Sequence, residues 1–110
     1  MYEISVIMSI YKEKEHIVKR SIESILNQRF RNFEFIIVID NPDNKEAIKL
    51  IKKYATQDNR IQLHINDYNK GIGFSLNKGI KLSCGKYIAR QDADDESLPE
   101  RFQKQINIFR

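Results

Sequence analysis

Four apolar runs in the chain predict four strands. Residues 4–10 and 33–39 are mostly apolar and rich in β-branched side chains, with almost no alternation of polar and apolar positions. Such continuous runs are typical of parallel strands that are covered on both faces. Shorter apolar segments at residues 61–65 and 86–91 predict a third and a fourth strand. We therefore expect a mostly parallel sheet of about four strands.

The segments between these strands have apolar residues at helical spacing, which predicts helices. Apolar residues between the first two strands recur at helical spacing, with charged residues on the other faces; they are Ile17, Val18, Ile22, Ile25 and Leu26. Asn41-Pro42 has the chemistry of a helix start, and the apolar stripe after it extends to Tyr54. The alternation of strands and helices predicts an open α/β sheet with right-handed connections and helices on both faces.

A third helix is predicted after the glycine-rich turn at residues 71–73. In this helix we expect Leu76, Ile80 and Cys84 to face inward. Gly85 is predicted to end it, because glycine is the usual residue just beyond a helix. Cys84 is then a small buried residue near the helix end.

The last predicted helix has a start signal but no stop signal. Ser97 and Glu100 match the S-x-x-E pattern of a capping box, in which each residue satisfies an amide of the other. The helical pattern then continues to Arg110 without a following Gly, Asn or Pro. We therefore expect residues 1–110 to form a single domain that is the N-terminal portion of a longer protein.

Composition adds limits on partners and compartment. The 110 residues include 19 Lys and Arg against 15 Asp and Glu, a net charge of +4. Because opposite charges alternate along the chain, we expect solvated helix faces and no nucleic-acid-binding stripe. No apolar run approaches the roughly 20 residues of a membrane span, and the N-terminus has no targeting pattern. The single cysteine cannot form an internal disulfide, which favours the cytoplasm.

Polar residues at three strand ends are the candidates for ligand binding, because ligands of open α/β sheets bind beyond the carboxyl ends of the strands. The first strand ends in Ser9 and Tyr11, the second at Asp40, and the fourth at Arg90 and a cluster of aspartates. The first strand-to-helix turn, residues 9–15, contains no glycine. This excludes a dinucleotide-binding loop and a Walker A loop.

The cluster Asp92-Ala93-Asp94-Asp95 is the strongest chemical signal in the sequence. Three carboxylates in four residues repel one another unless solvent or a cation compensates, and Mg²⁺ and Mn²⁺ prefer such oxygen ligands. An EF-hand would need Asp or Asn and then Gly where Glu96 and Ser97 stand, so that type of calcium loop is excluded. The alternative is an acidic N-terminal turn stabilised by the dipole of the helix that Ser97 caps.

The other candidates also have structural alternatives. Asp40 could accept hydrogen bonds from a base or ribose, or it could start the helix beside Asn41-Pro42. Tyr11 could lie against a base or fill part of the core. Arg90 could pair with the nearby aspartates or donate to a phosphate, and it could alternate between these roles.

Together these segments resemble the nucleotide-binding half of a family 2 glycosyltransferase of the GT-A fold. The resemblance covers nearly the whole chain and consists of six motifs in the family's order: residues 5–11, 21–28, 33–40, 71–73, 77–79 and 85–95. The last of these, Gly-Lys-Tyr-Ile-Ala-Arg-Gln-Asp-Ala-Asp-Asp, is similar to the strand that delivers the family's D-x-D motif. Each motif is modest alone, but the ordered set is highly specific.

The resemblance implies transfer of a sugar from a nucleotide diphosphate donor, usually a UDP-sugar, to a hydroxyl of a glycan, lipid-linked or other acceptor, with inversion at the anomeric carbon. Asp40 would hydrogen-bond the uracil, and Ser9 and Tyr11 would line the base pocket. Asp94 would coordinate the Mg²⁺ or Mn²⁺ that bridges the diphosphate. Asp92 would lie nearer the ribose or reach the metal through water. The cation would neutralise charge on the departing nucleoside diphosphate.

The resemblance also implies parts that this sequence lacks. Family members commonly have two aspartates where Ile39 and Asp40 stand, which affects donor specificity. The family's general base is an acidic residue well downstream of the D-x-D, and no residue here matches that segment. We therefore expect the base and the acceptor site beyond residue 110, with weak donor binding and no turnover by this chain alone. The expected setting is cell-surface polysaccharide biosynthesis, in the cytoplasm or, for the full-length protein, at the inner face of the membrane.

Two alternatives from other functional classes remain open, and no oligomeric state is predicted. An Asp-x-Asp after a strand also serves aspartyl-phosphate chemistry, with Asp92 as the nucleophile of a metal-dependent phosphotransferase or hydrolase. That motif would be expected on an early strand, and Glu96 stands where Thr or Val is usual. The second alternative is a non-catalytic nucleotide-binding interaction domain.

Overall fold

The computed structural model describes residues 1–109 and contains all four predicted strands. In chain order the elements are β1 (Ile4–Ile10), α1 (Glu15–Leu26), β2 (Phe33–Ile39), α2 (Lys45–Gln57), β3 (Ile61–Ile65), α3 (Ile72–Leu82), β4 (Tyr87–Arg90) and α4 (Arg101–Phe109). The bounds of β1 and β2 agree with the continuous apolar runs, because a strand buried on both faces is marked by sequence alone. The edge strands β3 and β4 are only partly buried, and β4 is one residue shorter at each end than the predicted segment. Arg110, where the helical pattern stops without a signal, lies outside the described residues.

The sheet has the strand order β3-β2-β1-β4, and all three neighbouring pairs are parallel. Ile10 of β1 pairs with Ile39 of β2, and Ile7 pairs with Arg90 of β4. Because the strands run in one direction, their carboxyl ends meet at one edge of the sheet. The predicted α/β class is confirmed, and this edge is where the candidate residues lie.

Helices cover both faces of the sheet, as the sequence predicted. Alternate residues of the two central strands form one buried cluster with α1, α2 and α4; its largest members include Met8, Ile22, Phe35, Ile51 and Phe102. Phe33 and Phe102 meet edge to face, with ring centroids 5.5 Å apart. On the opposite face, Ile7 contacts Gly79 of α3. The central strands are therefore enclosed, which explains their unbroken apolar sequences.

The buried face of α3 differs from the prediction. Ser75 and Gly79 are its buried residues, whereas Ile80 is 46% exposed and Cys84 is exposed. A Cβ at Gly79 would lie 2.5 Å from Cγ2 of Ile7, so the absence of a side chain lets α3 approach the sheet closely. The expectation that Ile80 and Cys84 face the core is wrong, because small residues make this contact.

Two helix boundaries also differ from the prediction. α2 begins at Lys45, where the Asn44 side chain accepts a hydrogen bond from the Ala47 amide, and not at Asn41-Pro42. α3 ends at Leu82, three residues before Gly85. A Cβ at Gly85 would lie 2.5 Å from the main-chain nitrogen of Ser5. Gly85 is therefore explained by close contact with β1, and it does not end the helix.

Candidate functional site

The residues predicted from β1 lie at the carboxyl edge of the sheet. Ser9 is half-buried near the end of the strand, and Tyr11, just beyond it, is 37% exposed. The Tyr11 amide donates to the Glu13 carboxylate at 2.7 Å, and the Lys12 Nζ lies 5.0 Å from the centroid of the Tyr11 ring. Tyr11 is therefore not a core residue, and its ring is accessible to a ligand at this edge.

Asp40, at the end of β2, is only 2% exposed, and its carboxylate accepts four hydrogen bonds. All four donors belong to the β3–α3 loop, residues 66–71. Oδ1 accepts from the Asn66 side chain and the Lys70 amide, both at 2.8 Å. Oδ2 accepts from the Asn69 side chain at 3.2 Å and the Gly71 amide at 2.9 Å. The carboxylate thus ties this loop to the end of β2.

These four bonds bear on the predicted base contact. A carboxylate has about four acceptor positions, and the loop fills them in this conformation. Gly71 has a φ of +92°, a left-handed backbone that favours glycine and turns its amide toward Asp40. A hydrogen bond from a base to Asp40 would therefore have to replace a loop donor. The base contact stays a prediction, and the alternative that Asp40 starts α2 is wrong, since Asn44 caps that helix.

The three aspartates after β4 are brought together in the acidic loop, residues 92–95. Asp92, Asp94 and Asp95 are exposed, and one carboxylate oxygen from each lies within 4.8 Å of the others. Arg90 donates through Nε to Oδ1 of Asp92 at 2.8 Å, which is the structural role foreseen for it. Three hard oxygen donors at this spacing fit the ligand preferences of Mg²⁺ and Mn²⁺.

The acidic loop does not form the first turn of a helix. α4 begins at Arg101, six residues after Asp95, so the helix dipole does not explain the aspartates. The predicted capping box is also absent. The Ser97 hydroxyl donates to Oε1 of Gln91 at 2.7 Å, and Glu100 forms an ion pair with Arg29 at 3.3 Å. Both side chains have partners outside the helix that they were expected to cap.

Arg101 connects the acidic loop to α4. Its Nη1 donates to Gln91 Oε1 at 2.9 Å and to the Ser97 hydroxyl at 3.0 Å, while Nη2 donates to the Arg90 carbonyl at 2.9 Å. Burial lowers the pKa of the Arg101 guanidinium, and the negative charge of Asp95 acts in the opposite direction. A guanidinium stays charged despite such a shift, so Arg101 adds positive charge beside the aspartates.

Two open clefts flank β4. The larger, of about 590 Å³, lies between the acidic loop and α4, and Asp92, Asp95, Arg101 and Lys104 are among its lining residues. The smaller, of about 340 Å³, lies between α3 and β4 and has a mainly apolar lining that includes Leu76, Ile80 and Ile88. The larger cleft combines carboxylates with three cationic side chains, since Arg90 lines it together with Arg101 and Lys104, and such a set is suited to a metal and an anionic group together.

Sequence reasoning missed the residues that hold these site segments. Asn66 and Asn69 bind Asp40, and nothing in the local sequence distinguishes them from ordinary loop asparagines. Ser21 and Gln91 bind the acidic loop. For Ser21 a signal was available, because Ser21, Ser24 and Gln28 recur at helical spacing beside the apolar stripe of α1.

Fold and site geometry together define an α/β protein with a ligand edge and a carboxylate cluster suited to a divalent cation. The chain belongs to glycosyl transferase family 2, whose family model matches residues 5–110. An uncharacterized glycosyltransferase of Methanocaldococcus jannaschii is 51% identical over 106 residues, covering 96% of this chain and 37% of the relative. The Escherichia coli glucosyltransferase WfgD, named for UDP-Glc and a GlcNAc-diphosphoundecaprenol acceptor, is 32% identical, covering 98% of this chain and 41% of WfgD.

Solved structures show the same fold. TarS residues 1–349 from S. aureus, in complex with UDP-GlcNAc, matches 97% of this chain and 31% of that chain, with a TM-score of 0.88 and 21% identity. The mannosyltransferase PcManGT from Pyrobaculum calidifontis, in complex with GDP-Man and Mn²⁺, matches 96% of this chain and 32% of that chain, with a TM-score of 0.84 and 16% identity. The GT-A fold predicted by resemblance is confirmed. The chain spans about two-fifths or less of the length of these relatives.

Proposed function

We propose that this chain forms the donor-binding part of an inverting glycosyltransferase that uses a nucleotide diphosphate sugar, most simply a UDP-sugar, and a divalent cation. The observation that carries the proposal is the acidic loop, whose three exposed carboxylates lie within 4.8 Å of one another at the ligand edge of the sheet. One relative named for UDP-Glc, and a fold neighbour bound to UDP-GlcNAc, support the choice of donor. A fold neighbour with Mn²⁺ supports the cation.

Each site residue has a proposed role. Asp94 holds Mg²⁺ or Mn²⁺, and Asp92 lies toward the ribose or reaches the metal through water. When bound, the cation supplies Lewis-acid stabilisation of the departing nucleoside diphosphate. Arg90 binds Asp92 in this structure, and its exposed guanidinium can turn to a phosphate. The accessible ring of Tyr11 and the Ser9 hydroxyl line the base pocket.

We propose two roles for Asp40, one in holding the β3–α3 loop and one in contacting the base. Its four hydrogen bonds hold the β3–α3 loop at the site edge. A direct contact with the uracil would follow only if a loop donor is exchanged for the base. If Asp40 contacts the base, Asp40→Ala weakens UDP binding more than binding of bare diphosphate. If it only holds the loop, the two ligands weaken equally.

The acceptor and the setting are proposals about the whole protein. A hydroxyl of a glycan or a lipid-linked sugar is the proposed acceptor, by analogy with the diphosphoundecaprenol acceptor for which WfgD is named. The general base and the acceptor site are proposed to lie beyond residue 110. Within residues 1–109 every helix is too short or too polar to cross a bilayer. We place the protein in the cytoplasm or at the inner membrane face, in cell-surface polysaccharide biosynthesis.

The alternatives kept open by the sequence have less support. Relatives that share this segment are named as glycosyltransferases, which favours sugar transfer over aspartyl-phosphate chemistry with Asp92 as nucleophile. The same names favour an enzyme over a non-catalytic nucleotide-binding domain. No contact in the described residues singles out either alternative.

The first prediction tests the metal role of Asp94. Calorimetric titration of the chain with UDP should show tighter binding in the presence of Mn²⁺, and Asp94→Asn should remove most of that gain because one anionic oxygen ligand is lost. Asp43→Asn is the matched control, since it neutralises an exposed aspartate in the turn before α2. UDP binding that depends neither on Mn²⁺ nor on Asp94 would contradict the proposal.

A further inference from the structure

A polar stripe on α1 faces the chain that follows β4. Ser21 and Ser24 lie on one side of the helix, next to buried apolar residues of the same helix, and Gln28, two residues beyond the end of α1, continues their spacing of three and four residues. Ser21 and Gln28 are almost completely buried. Buried polar side chains are costly unless they are hydrogen-bonded, so the partners of this stripe indicate its role.

All three stripe residues bind main-chain groups between residues 92 and 102. The Ser21 hydroxyl donates to the Asp92 carbonyl at 2.9 Å. The Ser24 hydroxyl accepts from the Ser97 amide at 3.0 Å. Gln28 donates to the Leu98 carbonyl at 2.7 Å and accepts from the Phe102 amide at 3.1 Å. The end of α1 and Gln28 just beyond it therefore bind the backbone from Asp92 to the first turn of α4 at four points.

Gln91 joins this stripe to the other end of the acidic loop. Its Nε2 donates to the Ser21 hydroxyl at 3.0 Å and to the Asp95 carbonyl at 2.8 Å. Its Oε1 accepts from Ser97 and Arg101. Ser21 and Gln91 thus hold the carbonyls of the first and last residues of the acidic loop, and both side chains are buried.

The groups that hold the acidic loop are different from the groups that would bind the cation. The loop is fixed through main-chain carbonyls by buried side chains, whereas the three carboxylates remain exposed and together. Mutual repulsion would drive like charges at this distance apart if the backbone could relax. A cation would then have to gather them again, and that ordering would cost binding free energy.

We propose that Ser21 and Gln91 are positioning residues that hold the backbone of the acidic loop so that its carboxylates are arranged for a divalent cation before the cation binds. This inference rests on the proposed function, because it assumes that the loop binds the cation. Partners of this kind, which orient metal ligands without touching the metal, typically change metal affinity by about 10- to 100-fold. Neither residue was a candidate from its chemistry alone.

The chain offers a matched pair of serines for the test. Ser21 and Ser5 are both fully buried, and each hydroxyl donates one hydrogen bond and accepts one. Ser5 donates to Glu34 and accepts from the Gly85 amide, so it has no contact with the acidic loop. Replacing either serine by alanine removes the same chemistry, and only one replacement touches the proposed site.

Mn²⁺ binding to the nucleotide-free chain should be followed by electron paramagnetic resonance, with thermal unfolding and amide hydrogen exchange of residues 92–97 measured on the same proteins. Ser21→Ala is expected to weaken Mn²⁺ binding by about tenfold or more and to speed exchange in the loop. Ser5→Ala should lower the melting temperature while leaving Mn²⁺ affinity and amide exchange of residues 92–97 unchanged. Ser21→Cys keeps a weak hydrogen-bond donor, so it should weaken Mn²⁺ binding less than Ser21→Ala does. If Ser21→Ala does not fold, Ser21→Cys replaces it in the test.

The outcomes distinguish the two proposals. If the wild-type chain binds Mn²⁺ neither alone nor together with UDP, the proposed function is wrong and this inference falls with it. If Mn²⁺ binds only together with UDP, the positioning role is overturned, because the loop would not be arranged for the cation in advance. If the wild type binds Mn²⁺ and the Ser21 variants bind equally well, only the positioning role is overturned. Equal weakening by Ser5→Ala would also overturn it, because general loss of stability would then account for the effect.

Discussion

Single side chains in this protein are placed largely by polar partners far along the chain. Glu34, the second residue of β2, is buried and accepts hydrogen bonds from the Ser5 hydroxyl and the Cys84 amide, each at 2.6 Å. In residues 1–109 every buried side-chain nitrogen or oxygen has a hydrogen-bond partner. Asp40 and Ser21 follow the same rule, so a candidate residue's chemistry depends on acceptor positions that the protein leaves free.

At this scale we predict that Asp40→Asn destabilises the fold by about 1–3 kcal/mol. Main-chain amides of Lys70 and Gly71 donate to different oxygens of Asp40, so either orientation of an asparagine amide points its NH₂ group at an N–H donor. Urea unfolding measures the change. Asp43→Asn, at an exposed aspartate, should stay within about 0.5 kcal/mol of wild type. Equal stability of the two variants would show that the loop bonds contribute little.

Elements of the fold are positioned by apolar patterns, but their ends are set by specific contacts. β3 begins next to such a contact: Arg60 donates through Nε and Nη2 to the Asp58 carboxylate at 3.0 and 2.7 Å. The guanidinium also lies 4.1 Å from the centroid of the Phe33 ring, at the start of β2. This group joins the end of α2 to the first residues of two strands.

The Asp58–Arg60 pair predicts a pH dependence of stability. Its hydrogen bond from Arg60 holds the pKa of Asp58 below the ordinary value, so the ionised form stabilises the fold above that value and the benefit is lost as the pH falls. At neutral pH, Asp58→Asn should cost about 1–2 kcal/mol, and the difference from wild type should shrink below about pH 4. Chemical unfolding across pH measures this.

The control for this prediction is a double-mutant cycle. In an Arg60→Met background, Asp58→Asn should lose most of its pH-dependent effect, because the partner that lowers the pKa is gone. The same pH dependence in both backgrounds would mean that another group, not Arg60, stabilises ionised Asp58.

At the scale of the whole molecule, two glycines let later segments of the chain lie close against β1. Gly79 lets α3 reach Ile7, and Gly85 lets the segment before β4 lie against Ser5. The Gly85 amide donates to the Ser5 hydroxyl at 2.7 Å, across 80 residues of sequence. These contacts allow β4 to pair with β1, and that pairing places the acidic loop beside the end of β1.

We predict opposite effects for two Gly→Ala replacements. Gly85→Ala should destabilise the protein by about 1–3 kcal/mol, because the new Cβ would overlap the Ser5 backbone and hydroxyl. Gly73→Ala, inside α3 with nothing within 4 Å of the new Cβ, should stabilise it by up to about 1 kcal/mol through helix propensity. The midpoints of urea unfolding provide the comparison. If Gly85→Ala leaves the stability unchanged, steric fit against Ser5 is not the reason for a glycine at this position.

The sequence by itself determined the strands, the parallel α/β class, the acidic cluster and the family resemblance. Strands enclosed on both faces need unbroken apolar residues, and that need is visible without knowing any partner. The cluster was equally visible, because Asp92, Asp94 and Asp95 are close in the chain itself.

Tertiary structure alone decided which face of α3 is buried, where α4 begins, what Asp40 binds and how the acidic loop is held. Gly79 packs against Ile7, and Ser97 binds Gln91, so local periodicity and capping signals gave wrong answers there. The bond between Ser21 and the Asp92 carbonyl spans 71 residues. Such hydrogen bonds join residues that are close in space but distant in sequence, and these residues come together only when the helices pack on the sheet.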